Sequence, residues 1–174
     1  KALYYLVDDV NDDKIWNVGT HLAHQLNDKT RFILNVSYQN YRSDQYREVK
    51  DLLGADFALN IDPFAVEKKS GLFNDGESNV AKKVGDKITY DYTFARQEVK
   101  INPGLKLATG KFDVFVTGMF GYTTSYREGR FNHYLYADAL GKSKNYNFTN
   151  YGLKGQIIYK LNGRNFLVYN GAYY

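Results

Sequence analysis

The chain has 174 residues and a mass of 20.1 kDa, room for one domain. It has no cysteine, which excludes disulfides, thiolate catalysis and cysteine-based metal sites. Its net charge of +4 is scattered, with acidic pairs such as Asp8-Asp9 and Asp12-Asp13 interspersed, so no nucleic-acid partner is expected.

Tyrosine is abundant and only two prolines occur, a bias toward strands. No run of 18 apolar residues exists, so no transmembrane helix is read. A membrane barrel stays open, because half of its strand residues face water and its hydropathy per segment is weak. The sequence begins at Lys1 with neither Met nor a signal peptide, so a processed or truncated chain is expected.

Residues 1–7 read as a short strand. The acidic run Asp8 to Asp13 is rich in oxygen, but its spacing fails the EF-hand pattern, so a solvated loop is expected. Strand one runs from about Lys14 to Leu26. Trp16, Val18, Thr20 and Leu22 share one face, and Asn17, Gly19, His21 and Gln25 the other. Asn27-Asp28-Lys29 makes a turn. Strand two follows from Thr30 to Arg42, with Phe32, Leu34, Val36 and Tyr38 opposite Asn35, Ser37 and Gln39.

Ser43 to Asp86 reads as a long irregular section, with a helical turn at Arg47 to Leu53 stopped by Gly54. Strand three runs from Lys87 to Leu107. Its apolar residues sit on even numbers at Ile88, Tyr90, Tyr92 and Phe94, then on odd numbers from Val99. This change near Arg96 to Glu98 predicts a bulge or a passage out of a bilayer. Pro103 predicts a local irregularity. The next turn is placed at Ala108-Thr109-Gly110-Lys111, with Asn102-Pro103-Gly104 as the alternative. Strand four runs from Phe112 to Tyr126, and a second long loop from Arg127 to Asn145.

The last stretch is the most regular. From Tyr151 the odd positions are Leu153, Gly155, Ile157, Tyr159 and Leu161, against Lys154, Gln156 and Lys160 on the even ones. Asn162-Gly163-Arg164-Asn165 then has tight-turn composition, and Leu167, Tyr169, Gly171 and Tyr173 resume one face. The alternation from Thr149 to Leu161 outlasts an ordinary strand of about 5–6 residues and meets the roughly 9–11 that a tilted membrane-spanning strand needs. Tyrosine at both ends of the apolar stripe is what two membrane interfaces select. The connections alternate short, long, short, long, short, the pattern of tight periplasmic turns and extended outer loops.

Glycine-rich phosphate loops, zinc spacings and nucleophile elbows are missing. His21 falls on a polar strand face, His24 near a turn and His133 in a loop, and no Ser is placed beside a His with an orienting group. No enzymatic activity, cofactor or metal site is expected. The sequons at Asn35 and Asn147 lie in or beside strands and are read as chance.

Phe148-Thr149-Asn150-Tyr151-Gly152, followed by Tyr159-Lys160-Leu161-Asn162-Gly163-Arg164-Asn165, resembles a barrel hairpin of TonB-dependent outer-membrane receptors. Tyr46 to Phe57 and the hairpin around Gly110-Lys111-Phe112-Asp113 are similar to that family too. The likeness is nearest to the branch with a carboxypeptidase-like domain ahead of the plug. It implies an all-β fold: residues 1–174 as a section of one antiparallel transmembrane β-barrel, with about six long strands, short periplasmic turns and long extracellular loops. Such receptors have about 22 strands, a plug and a TonB-contacting segment, and those parts are not in this sequence.

The resemblance implies import of a nutrient (a glycan, a peptide or an iron chelate) across the bacterial outer membrane. The implied partners are the remaining strands of the same barrel, the lipid bilayer and, through the absent segments, the TonB system. Tyr41, Tyr46, Arg47, Tyr126, Arg127 and Arg130, read as outer-loop residues, are the candidate ligand-binding set. Strand one runs inward and strand six outward, whereas barrels of the family begin and end in the periplasm. Strands one and six are therefore expected to pair with strands outside this sequence. A complete small barrel serving as adhesin or scaffold, and a soluble carbohydrate-binding β-sandwich, are the alternatives.

Overall fold

The computed structural model describes residues 1–61, 80–132 and 136–174. Its strands are β1 (Leu6–Asn27), β2 (Thr30–Asp51), β3 (Ala58–Leu59), β4 (Ala81–Lys82), β5 (Lys87–Ala108), β6 (Phe112–Gly129), β7 (Gly141–Lys142), β8 (Tyr146–Lys160) and β9 (Phe166–Tyr173). One large antiparallel sheet takes them in the order β1-β2-β5-β6-β8-β9, with β7 on β6, while β3 and β4 form a sheet of their own. The six strands read from the alternation are thus present, each hydrogen-bonded to its neighbour in sequence. The large sheet does not close on itself: β1 and β9 are its two edges.

The three short turns fall where the sequence places them. At the first, Asn27 Oδ1 accepts the Lys29 amide at 3.0 Å. At the second, the Thr109 hydroxyl both donates to the Phe112 carbonyl and accepts the Phe112 amide, each at 2.9 Å. At the third, Asn162 Oδ1 accepts the amides of Arg164 at 3.0 Å and Asn165 at 2.9 Å. These are side chains standing in for the backbone in a turn. The alternative turn at Asn102–Gly104 is not formed. Pro103 stays within β5, and its carbonyl accepts the Thr117 hydroxyl at 3.0 Å.

Three expectations are corrected. The acidic run Asp8 to Asp13 is strand, part of β1, rather than a solvated loop. Arg47 to Asp51 continue β2 instead of turning helically. The cause is the same for both: Lys50 Nζ meets Asp8 at 2.9 Å and Arg47 Nε meets Asp9 at 2.6 Å, so the two segments bind each other across the ladder. The chain turns only afterwards, at Leu53 and Gly54, where φ is +55° and +85° and Asp51 Oδ1 accepts the Leu53 amide. The third correction shortens both long loops, since strand reaches Asp51 and Gly129 and short strands lie within them. The remainder of the first loop over 62–79, and His133, lie outside the described residues.

The chain divides into two compact units. Unit 1 comprises Lys1–Ile15, Tyr41–Arg96 and Ser125–Tyr146, and unit 2 comprises Trp16–Asn40, Gln97–Thr124 and Asn147–Tyr174. The three tight turns belong to unit 2 and both long connections to unit 1. The change of pattern expected near Arg96 to Glu98 coincides with the boundary between the units, and β5 is continuous there.

Unit 1 contains the apolar core: Ala2, Val49, Leu52, Ala58 and Ile88, flanked by Tyr5, Val7 and Ala55. Leu52 and Leu53 needed cover on sequence grounds. Leu52 is buried here, while Leu53 is exposed at the turn.

Unit 2 is a single layer of sheet, and among its described residues no large hydrophobic side chain is buried. Its apolar face displays Trp16, Val116, Leu153 and Ile157 at 58, 39, 53 and 44% exposure. Cross-strand aromatic pairs lie along it: Trp16 with Tyr38 at 5.9 Å, Phe112 stacked on Tyr159 at 4.8 Å, and Tyr151 with Tyr173 at 6.5 Å. The opposite face is knitted by polar pairs. Gln39 donates to Asn17 at 2.8 Å, Gln156 to Asn170 at 2.9 Å and Lys160 to Asp113 at 2.7 Å. The register of β8 on β9 enforces this sorting, with Leu153 opposite Tyr173, Ile157 opposite Tyr169 and Gln156 opposite Asn170.

Candidate functional site

The chemistry of the molecule concentrates in unit 1, on two faces of its strands. All six candidate residues lie in this unit. Five of them sit on strands: Tyr41 in β2 and Tyr126 in β6 lie within the strands read from the sequence, while Tyr46 and Arg47 in β2 and Arg127 in β6 correct a loop reading. Arg130 follows directly after β6. β2 and β6, which flank β5, both run well beyond their apolar stripes, so these side chains alternate between faces.

One face holds an ion network. Arg42 donates to both oxygens of Asp44, each at 3.1 Å. Arg130 donates to Asp91 at 2.6 Å, to Thr93 Oγ1 at 2.6 Å and to Asp44 at 3.2 Å. The Thr93 hydroxyl in turn donates to Asp44. Lys87 Nζ completes the cluster at 3.1 Å from Asp91 and lies 4.0 Å from the centre of the Tyr46 ring. Asp91 is buried, and two cations balance its charge. The Arg42 guanidinium holds the Asp44 carboxyl well below the usual carboxylate range. Burial opposes this shift, and hydrogen bonds from Thr93 and Arg130 reinforce it. Tyr126 faces the same way along β6 as Arg130, with Lys142 Nζ 3.8 Å from its ring centre.

The other face is aromatic. Arg47 donates to Asp9 at 2.6 and 3.0 Å, and the Tyr90 hydroxyl donates to the same carboxylate at 2.9 Å. Arg47 first, then Tyr90, holds the Asp9 carboxyl below its ordinary value. The Tyr92 hydroxyl is tied to Gln45 Oε1 at 2.5 Å. Tyr90 and Tyr92 stand 5.8 Å apart, and the Arg127 guanidinium lies over the Tyr92 ring at 4.7 Å. Tyr41 donates to Asp13 at 3.2 Å and meets Phe94 edge-on at 6.3 Å.

Arg127 lines a cavity of about 200 Å³ with Tyr90, Tyr92, Phe131 and Tyr136, and Gly129 and Ala139 also border it. Beside it Thr89 adopts φ +72°, a left-handed conformation costly for a β-branched residue, and its amide is held by Asn60 Oδ1 at 2.6 Å.

The candidates therefore do not converge on one site. Tyr41, Arg47 and Arg127 share the aromatic face, while Tyr46, Tyr126 and Arg130 belong to the ionic one. Asp44, Asp91 and Thr93 were missed as members of the network. The available signal was an alternation of its own, with Asp91 and Thr93 interleaved between Tyr90, Tyr92 and Phe94, so that acid and hydroxyl occupy the face opposite the rings.

Gly129 is the tightest point of the site. A Cβ there would stand 1.8 Å from the Ala139 carbonyl oxygen, a main-chain atom that cannot swing aside. Gly129→Ala is expected to unseat β7, which pairs Gly129 with Gly141. It should destabilise by about 1–3 kcal/mol, toward the upper end because the obstacle is backbone. The check is faster proteolysis at 139–143 and a lower urea midpoint; an unchanged midpoint would contradict the close approach.

No family model matches the chain, and neither a curated protein nor a solved structure matches it. The class that the fold itself defines is an all-β protein built on one large antiparallel sheet.

Proposed function

We propose that the chain is a section of the wall and outer loops of an outer-membrane β-barrel of the TonB-dependent receptor type, whose parent imports a nutrient: a glycan, a peptide or an iron chelate. The observation that carries the barrel reading is unit 2. It is one sheet layer whose apolar face has no protein cover among the described residues and whose opposite face is polar and internally hydrogen-bonded. An apolar face of this extent needs a cover. A bilayer on one side and a wet lumen on the other satisfy both faces at once. Aromatic residues along the apolar face and the segregation of tight turns from long connections support the same reading. The receptor type rests on the resemblance of the hairpins. In this reading β1 and β9 pair with further strands of the barrel, since hydrocarbon cannot satisfy an open edge. Unit 1 then stands on the outer side and supplies the capture surface.

Whole cells treated with protease test the sidedness. Cleavage is expected in the connections over 52–61 and 130–145, with the turns at 28–29, 109–111 and 162–165 protected until the outer membrane is opened. Cleavage confined to the short turns would overturn the orientation. Recovery of the protein in the soluble fraction would overturn the membrane reading.

A further inference from the structure

The arginines of unit 1 differ in what they hold. Arg96 lies over the Tyr41 ring at 5.9 Å, and Arg42, Arg47 and Arg130 each engage a carboxylate. Arg127 does not: among the described residues its guanidinium meets no acceptor, and it is exposed over the Tyr92 ring at 4.7 Å. A guanidinium over a ring and without a protein acceptor has donors to offer, and a planar guanidinium can receive a carboxylate through two parallel hydrogen bonds.

The surroundings narrow the ligand. Tyr90 and Tyr92 have their hydroxyls engaged by Asp9 and Gln45, so their rings are held in place as apolar walls. Phe131 and Tyr136 add two more aromatic surfaces, and the cavity of about 200 Å³ takes one ring-sized unit. Asp91 also borders it, with its charge already balanced by Arg130 and Lys87. One uncommitted cation beside a carboxylate suits a monoanion. A phosphate monoester, with a charge of about −1.5 to −2, calls for a second cation, and among the described lining residues Arg127 is the one cation.

We propose that the cavity lined by Arg127, Tyr90, Tyr92, Phe131 and Tyr136 binds a carboxylate-bearing unit of the ligand, the carboxylate on the Arg127 fork and the body of the unit against the rings. This rests on the reading of unit 1 as a capture surface and names the class of substrate it selects. Two sources offer that chemistry, a uronic acid in an oligosaccharide and the C-terminal carboxylate of a peptide.

The test is calorimetric binding to the full protein in detergent, with two matched pairs of ligands. One pair is a uronate oligosaccharide and its methyl ester; the other is a short peptide with an aromatic C-terminal residue, as free acid and as amide. In one pair the acid is expected to bind at least tenfold more tightly than its neutral partner, and that pair identifies the source. Arg127→Gln should abolish the preference. Arg127→Lys keeps the charge but loses the fork and should retain only part of it. Tyr92→Leu removes the platform and leaves the charge, so it serves as a second variant with an independent effect on the fold. Equal binding of acid and neutral ligand in both pairs, or a preference that survives in Arg127→Gln and Tyr92→Leu, would overturn the proposal. Binding to purified protein does not depend on sidedness in cells, so this result and the protease result can fail separately.

Discussion

Asp91→Ala is expected to lower stability by about 1–3 kcal/mol. The change removes the shared partner of Arg130 and Lys87, which stand 2.6 and 3.1 Å from the carboxylate. The side chain of Asp91 is only 5% exposed, so water cannot replace what is lost around it. Arg130 and Lys87 are more open, at 34 and 37%, and Arg130 keeps Asp44 at 3.2 Å, which holds the cost below that of a fully buried pair. Urea unfolding followed by tyrosine fluorescence reads the loss. An Asp91→Ala protein as stable as the parent would mean that the network is ornamental to the fold.

The same network sets a dependence on acid. Asp44 has a folded-state pKa below its unfolded one of about 3.9, because Arg42 and then Thr93 and Arg130 favour the charged form. The stability it contributes is therefore complete at neutral pH, persists down to about pH 4, and is lost as pH falls through the lower, folded value. Asp44→Asn should be less stable than the parent at pH 7. Its stability should also fall less steeply below pH 4. Parallel pH profiles for the two proteins would contradict the assignment.

The second large effect belongs to unit 2. On the proposed barrel reading, Val116→Arg is expected to destabilise the protein by about 2–4 kcal/mol near a bilayer midplane, and by far less near an interface. Val116 is 39% exposed on the apolar face, with no protein layer over it among the described residues. Ser37→Arg, on the polar face, is the matched control and should be nearly neutral. Folded yield in the outer-membrane fraction reports both. If both substitutions were tolerated alike, the apolar face would have no lipid against it.

Much of the sheet was legible because its signal is local. Alternation gave the strands, and Asn or Thr at the turns gave their ends, since a side chain that bonds its own backbone needs no distant partner. The misreadings have the opposite origin. Nothing near Asp8 or Asp9 marks them as strand residues, because their partners are Lys50 and Arg47, roughly 40 positions away. Arg47 to Leu53 looked helical for the same reason, with the cross-strand ion pairs invisible in a short window. The candidate site was half legible. The tyrosines and arginines that the sequence marks all fall in unit 1, but their division between two faces depends on how far β2 and β6 extend. Once β2 reaches Asp51, Tyr46 and Arg47 must point in opposite directions.

The strand order carries a consequence for how the sheet is made. Every neighbour in β1-β2-β5-β6-β8-β9 is also the next long strand along the chain. No strand waits for a remote partner, so contact order is set by hairpins and by the two long connections alone. Such a sheet can zip from either end, one hairpin at a time, each new strand reading its register from the one just laid down. Of the three hairpins β1–β2 has the shortest link to close, residues 28–29 between two 22-residue strands. Until the last strand finds its neighbour, the growing edge stays chemically sticky. The chain is exposed to mispairing for as long as either edge of the sheet lacks a neighbour.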